Sequence, residues 1–180
     1  MELREERMIG TVREGYRLLM RICVELALPT DRSRIAEYYR SVGEGCRRWA
    51  EEVTGERLRQ RFLSMTDERD RCRLRAASYR MRIAPVYREK ALCLWLCEAV
   101  FTNDGKSERR RSAQLWNTEE ETAYPREQAL RLLWGDGRPP RVPFAADGFY
   151  PDRGGLLFFR NPRGGEGEQE WIGFKKSEKD

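Results

Sequence analysis

Apolar and polar residues alternate along several stretches of this chain, which is the pattern of a β-strand with one buried face. Residues 78–83 follow this pattern, with apolar side chains at the odd-numbered positions. Residues 92–97 are apolar on both faces, which is typical of a central strand. Asp104 and Gly105 then predict a hairpin turn, because both residue types tolerate positive φ, and residues 112–116 return as the partner strand. This block predicts three successive strands of one antiparallel layer.

Residues 16–28 fit two kinds of element. Six apolar residues alternate with other residues there: Leu18, Met20, Ile22, Val24, Leu26 and Leu28. The alternation favours a strand, and the β-branched residues at its centre agree with it. One face of a helix would also collect Leu18, Leu19 and Ile22, so the helical alternative stays open beside the preferred strand.

Helical spacing dominates the next segment. Apolar residues recur at steps of three or four at Ile35, Tyr38, Tyr39, Val42, Cys46 and Trp49. This spacing predicts an amphipathic helix of about five turns, and Thr30 or Asp31 is expected to cap it. A shorter helix is predicted after Gly55, and another short helix is predicted at residues 125–135, between a proline and a glycine.

Together these elements predict an α+β fold, with one long helix and one or two short helices packed on an antiparallel sheet of about four to six strands. Residues 149–159 add a final hairpin. We expect residues 1–14 to be a flexible lead-in because they are polar. Residues 15–162 are expected to form a single domain, and residues 163–180 a flexible tail rich in glycine and charge.

The absence of histidine restricts the chemistry more than any residue that is present. The 180 residues include none, which excludes Ser-His-Asp and Cys-His nucleophile systems and any zinc site that needs imidazole. The five cysteines are odd in number and suit free thiols. Cys93 and Cys97 would lie about 13 Å apart on one strand, too far to share a zinc ion. We therefore predict no catalytic residue, no cofactor and no metal, and expect that the chain is not an enzyme.

Arginine supplies most of the basic residues behind the net charge of +5. The densest basic cluster is Arg109, Arg110 and Arg111, and Arg80 and Arg82 would join it on the sheet. Such a stripe is able to bind phosphates while neighbouring aromatic rings stack on bases. The favoured interpretation is a solvated outer face, on which arginine side chains lie flat and deter edge pairing. These five arginines are the candidate binding face.

Other conspicuous residues are expected to be structural or solvated. The carboxylates of Glu51, Glu52 and residues 119–121 are expected to be solvated charge, and six aromatic residues are spaced as core residues: Tyr38, Tyr39, Trp49, Trp95, Trp116 and Trp134. The chain does not open on a basic flank followed by an apolar run, and no apolar stretch approaches 18 residues. We therefore expect no signal peptide, no membrane span and a cytoplasmic location.

Four segments, taken in order, resemble a known family. Residues 26–39 resemble its strand, proline and opening helix, and residues 111–118 its strand into a Trp/Phe-Asp-x-x-Thr-Gly turn. Residues 130–134 resemble its Leu-x-x-Leu-Phe segment, and residues 149–159 its hairpin of aromatic residues. The family is the C-terminal sensing domain of RsiV-type anti-sigma factors, and the resemblance covers about residues 16–162. Residues 106–110 stand where the family has a Gly-Gly-Ala-His turn, and its Pro-Tyr tail has no counterpart.

The resemblance implies a bacterial α+β domain that senses a ligand by binding it. Combined with the excluded chemistry, it leads us to expect a non-catalytic soluble binding or sensing domain whose partner is a protein. A nucleic-acid-associated protein that uses an arginine-bearing sheet face is the alternative.

Overall fold

The computed structural model describes residues 2–31, 33–135, 139–141, 145–152, 154–163 and 170–175. In chain order its strands are β1 (Leu3–Glu14), β2 (Arg17–Pro29), β3 (Ala77–Glu89), β4 (Leu92–Asn103), β5 (Lys106–Asn117), β6 (Thr122–Ala123), β7 (Gly148–Asp152), β8 (Gly155–Arg160) and β9 (Glu170–Lys175). Its helices are α1 (Arg34–Trp49), α2 (Gly55–Ser64), α3 (Glu68–Arg73) and α4 (Arg126–Trp134), and a π-helical segment, Ala50–Thr54, joins α1 to α2 without a break.

The fold is α+β, as the sequence predicts. Strands β1 to β6 form one sheet in sequence order, and β7, β8 and β9 form a second sheet. The large sheet is mixed rather than purely antiparallel, because β2 and β3 run parallel. Parallel neighbours need a long crossover connection, and the helical segments between β2 and β3 supply it. The predicted hairpin turn between β4 and β5 is confirmed, with φ of 49° at Asp104 and 80° at Gly105.

The chain divides into two compact units. Unit 1 comprises residues 1–83 and 99–108, and unit 2 comprises residues 84–98 and 109–180. Each unit therefore combines segments that are distant in sequence. The predicted domain boundaries at 15 and 162 stay a prediction.

Strands occupy two segments that the sequence predicts to be flexible. Residues 3–14 form β1, which pairs antiparallel with β2 along its whole length, from Leu3 opposite Pro29 to Glu14 opposite Arg17. The prediction of a flexible lead-in is wrong here, because a polar strand at the edge of a sheet needs few apolar side chains of its own. In the tail, β9 pairs with β8, so these residues are also part of a sheet.

One face of β1, β2 and β3 forms the core of unit 1. Strand β2 confirms the preferred interpretation of residues 16–28, and its inward-facing side chains are fully buried: Met20, Ile22, Val24, Leu26 and Leu28. Tyr79, Met81 and Ile83 of β3 lie on the same face, because β2 and β3 pair with Val24 opposite Met81. The alternation in the sequence thus identifies the buried face correctly.

The α1 helix and its continuation into α2 pack closely against the side chains of this face. The N-cap of α1 is Ser33, whose side-chain oxygen accepts a hydrogen bond from the Ala36 amide at 3.1 Å, and not the predicted Thr30 or Asp31. A Cβ added to Gly43 would lie 3.1 Å from Leu26 Cδ2, and one added to Gly55 would lie 2.7 Å from Val12 Cγ2. Glycine at these positions lets the helix approach the sheet more closely than any other residue would allow.

Ion pairs lie along the flank of the helix that faces the edge strand β1. The Arg40 guanidinium donates to both oxygens of the Glu6 carboxylate of β1, from Nε to Oε2 at 2.9 Å and to Oε1 at 3.1 Å, and from Nη2 to Oε1 at 2.7 Å. This pairing holds the pKa of Glu6 at about 2, well below the 4.5 of a free glutamate. About two turns further on, Arg47 bonds both Glu44 and Glu51.

Unit 2 has a core of its own. It contains apolar residues from β4, β5, α4, β7 and β8 together with a loop residue: Leu94, Leu115, Ala129, Leu133, Ala146, Phe149, Leu156 and Phe158. The predicted hairpin is present as β7 and β8, which pair antiparallel from Gly148 opposite Phe159. The predicted short helix is α4, and it ends at Gly135, which adopts a φ of 77°.

We expect Gly55→Ala to destabilise unit 1 by about 1–3 kcal/mol, because the added methyl overlaps the buried, stiff side chain of Val12. Gly45→Ala is the matched control, since a Cβ there meets nothing within 4 Å. It should stabilise the protein by about 0.5–1 kcal/mol through helix propensity. Urea denaturation measures both values, and equal stability of the two variants would contradict the packing described above.

We expect Arg40→Met to lower the free energy of unfolding most above about pH 5. The pKa of Glu6 is lower in the folded state than in the unfolded chain. The ion pair therefore stabilises the fold fully above about pH 4.5, and this stabilisation is lost as the pH falls towards 2. The difference in the free energy of unfolding between Arg40→Met and wild type should therefore shrink as the pH is lowered from 4.5 to 2. Arg57→Met, at an exposed position of α2, should show a small difference that does not change with pH. A constant difference for Arg40→Met would argue against the ion pair.

Candidate binding surfaces

The face of β1, β2 and β3 that points away from the helix is exposed and carries more positive than negative charge. We call it the outer face. It contains Glu5, Arg7, Ile9, Thr11, Arg21, Cys23, Glu25, Ala27, Ser78, Arg80 and Arg82, none of which is buried. Two of the predicted site residues, Arg80 and Arg82, lie here because they alternate with the buried residues of β3.

Few contacts restrain the arginines of the outer face. Arg7 donates from Nε to Cys23 Sγ at 3.2 Å, and its Nη2 lies 3.5 Å from Glu25 Oε1. Within the described residues, Arg21, Arg80 and Arg82 form no ion pair with a carboxylate. Strand pairing places Arg80 beside Cys23 and Arg82 beside Glu25. Sequence reasoning missed the contribution of Arg7 and Arg21, because it depends on β1 being a strand and on the order of the strands.

The other predicted site residues lie in unit 2 and are largely engaged there. The Arg111 side chain is 11% exposed and donates from Nε to the Glu98 carboxylate. Arg109 lies 3.9 Å from the same carboxylate. The Asn161 side chain bonds both the amide and the carbonyl of Arg111 at 2.7 Å. Arg111 therefore has a structural environment, and a phosphate-binding role for these arginines stays a prediction.

A second surface of unit 1 is the apolar flank of the helix on the side of β3. We call it the aromatic flank, and it contains Tyr38, Val42, Cys46, Trp49 and Val53, spaced at three and four residues. Trp49 is 51% exposed and Tyr38 is 47% exposed, so the prediction that both are core residues is wrong. The Trp49 ring lies 6.4 Å from that of Tyr79, between centroids.

Helical geometry explains why these two residues differ from Tyr39, which is buried. Adjacent residues point about 100° apart around a helix, so Tyr38 and Tyr39 cannot both face the sheet. The apolar stripe of the helix is wider than the part of it that the sheet covers, since Tyr38 and Trp49 stay exposed. Tyr39 takes the covered side, and Tyr38 lies at the margin of the stripe.

Three features of the described residues bear on metal binding, thiol chemistry and small-molecule binding. No group of three or more His, Cys, Asp or Glu residues is placed to hold a metal ion in that part of the chain. All five cysteines are free, and burial raises the pKa of the Cys93 thiol to about 11, which keeps it protonated. A cleft in unit 2, lined by Leu94, Tyr124 and Phe149 among others, has a volume of about 70 Å³. This is well below the volume of roughly 300 Å³ at which small-molecule sites begin.

The described helices include none that is both long and apolar enough to cross a membrane.

Comparison with known proteins shows similarity of fold. No protein-family model matches the chain, and no curated protein matches its sequence. A DUF3298 family protein from Pseudomonas aeruginosa PAO1 superposes with a TM-score of 0.50 at 9% identity, over 95% of this chain and 89% of that one. A DUF3298 family member from Bacteroides fragilis NCTC 9343 gives 0.53 at 12% identity, over 96% and 90%. At these identities the likeness concerns the fold alone.

Proposed function

We propose that this chain is a non-catalytic binding domain whose ligand is another protein. The observation that carries the proposal is the aromatic flank, where Trp49 and Tyr38 are each about half exposed on one side of a rigid helix. Aromatic residues dominate the energetics of protein interfaces, because they bury a large area at a small cost in side-chain entropy. The sensing role implied by the resemblance to RsiV-type domains belongs to the same class of function.

The packing of the helix supports this assignment. Gly43 and Gly55 seat the helix on the sheet, and Arg40 bonds β1 on the flank opposite to Trp49. The exposed aromatic rings therefore project from a backbone that is held at several points. A preorganised surface loses little conformational entropy on association, which favours binding.

The test is affinity capture from the native host with the full chain as bait. We expect one stoichiometric protein to bind wild type and to bind Trp49→Ala or Tyr38→Ala at least about 30-fold more weakly, as for interface hot spots. Leu132→Ala is the matched control, because Leu132 is 41% exposed on α4 in unit 2. It should retain full affinity.

Two results would count against the proposal in different ways. Equal binding by all the variants would remove the aromatic flank as the binding surface. Failure to capture any protein across several growth states would argue against the function itself. Circular dichroism of each variant checks that the fold is retained.

The outer face supports a second candidate, association with nucleic acid. Four arginines and two glutamates lie on it, and Arg80 and Arg82 project from adjacent outward positions of one strand. Such spacing suits successive phosphates of a single strand, and binding would depend steeply on salt.

We expect generic single-stranded RNA to discriminate between the two predicted arginine sets. If the outer face binds RNA, the double variant Arg80→Ala with Arg82→Ala should reduce the slope of log affinity against log salt by roughly 1.5. Arg109→Ala with Arg110→Ala is the matched double variant in unit 2 and should change the slope little. Unchanged binding by the first variant, or no binding by wild type, would remove this candidate.

A further inference from the structure

The free edge of the large sheet carries an exposed apolar residue at its centre. Strand β1 is the first strand in the sheet order, and no described strand pairs with its outer edge. Ile9, in the middle of this strand of 12 residues, is 68% exposed. An edge strand presents a row of unpaired backbone amides and carbonyls, which is a template for pairing with another strand.

The sequence of β1 complements itself when it is reversed. If a second β1 runs antiparallel with Ile9 opposite the partner's Ile9, then Arg4 lies opposite the partner's Glu14. In the same register Glu5 lies opposite the partner's Arg13. By twofold symmetry each of these pairs occurs twice, giving four pairs of opposite charge and no like charges directly opposite. Cross-strand pairs of this kind stabilise a sheet, and like charges destabilise it.

Neighbouring registers lack this complementarity. Moving the axis to Gly10 places Arg7 opposite the partner's Arg13 and Glu6 opposite the partner's Glu14. Moving it one residue the other way, to Met8, leaves no opposite-charge pair and places Arg7 opposite the partner's Ile9. Moving it to Arg7 places two arginines on the axis. The Ile9 register is therefore specified by charge as well as by the exposed apolar side chain.

The strand is regular enough to pair in this way. The irregularity between β1 and β2, at Val12 and Arg13, places the unpaired residue in β2, since Val12 faces Met20 and Arg13 faces Leu18. Residues 3–14 of β1 thus keep a simple alternation of outer and inner side chains. Within each copy, the pairing of β1 with β2 places Ile9 next to Cys23.

From these observations we propose that two copies of this chain associate edge to edge through β1. The strands are antiparallel, Ile9 lies on the twofold axis, and the two large sheets become one continuous sheet. Each copy uses the same strand in this twofold contact, so no β1 edge is left for a third copy and the assembly stops at a dimer. This association is independent of the aromatic flank, and its test does not depend on the proposed protein ligand.

Sedimentation equilibrium of the full chain tests the proposal. We expect wild type to be largely dimeric at a chain concentration of roughly 0.1 mM. Glu5→Arg alone and Arg13→Glu alone should each weaken the dimer on the order of tenfold, because each creates two like-charge pairs. The combined variant should restore the wild-type affinity, since the charges are complementary again.

Arg80→Glu is the matched control, because it reverses a charge on the outer face away from β1, and it should leave the dimer unchanged. Ile9→Lys should abolish the dimer while the circular dichroism spectrum stays that of a folded chain. A monomeric wild type at the highest concentration, or a double variant no tighter than the single variants, would overturn the proposal.

Disulfide trapping tests the register itself. In a background with Cys23→Ser, which removes the thiol opposite residue 9 on β2, and Cys72→Ser, which removes an exposed thiol, Ile9→Cys should give a covalent dimer on mild oxidation. Thr11→Cys should not, because two copies of residue 11 would lie roughly 13 Å apart in this register, beyond the reach of a disulfide. Efficient trapping by Thr11→Cys in place of Ile9→Cys would overturn the assignment of the axis.

Discussion

The close contact between the helical segment, α1 and α2, and the side chains of β1 and β2 determines how unit 1 is organised. Gly43 and Gly55 bring the helical segment into contact with Leu26 and Val12, so the helix covers the inner side chains of β1 and β2. The remaining surfaces follow from this arrangement. The outer face stays exposed, one flank of the helix is paired with β1 through Arg40, and the other flank keeps its apolar residues partly in water.

The same contact separates residue types that are mixed in sequence. The outer face collects arginines because its strands alternate, with the apolar residues facing the helix. The aromatic flank arises because the apolar stripe of the helix is wider than the sheet that covers it. A surface rich in arginine and a surface rich in aromatic residues thus lie on different parts of unit 1, and each suits a different kind of partner.

Local patterns predicted the elements well where the side chains themselves carry the signal. The alternation in residues 16–28 identified β2, the spacing of Ile35 and its successors identified α1, and Asp104 with Gly105 identified the hairpin turn. The same reasoning failed for β1, because an edge strand is held by the backbone of its neighbour and not by its own apolar residues. It also placed Tyr38 and Trp49 in the core, since spacing alone does not give the width of the covered face.

The sequence by itself determined the fold class, the buried face of β2 and β3 and the absence of histidine chemistry, because these depend on local periodicity and on composition. The tertiary structure decided that β1 is the edge and that β2 and β3 are parallel neighbours. It also placed Arg80 and Arg82 in a different unit from Arg109 to Arg111. The physical reason is that strand order and side-chain neighbours are set by backbone pairing between distant segments, which leaves no periodic trace along the chain.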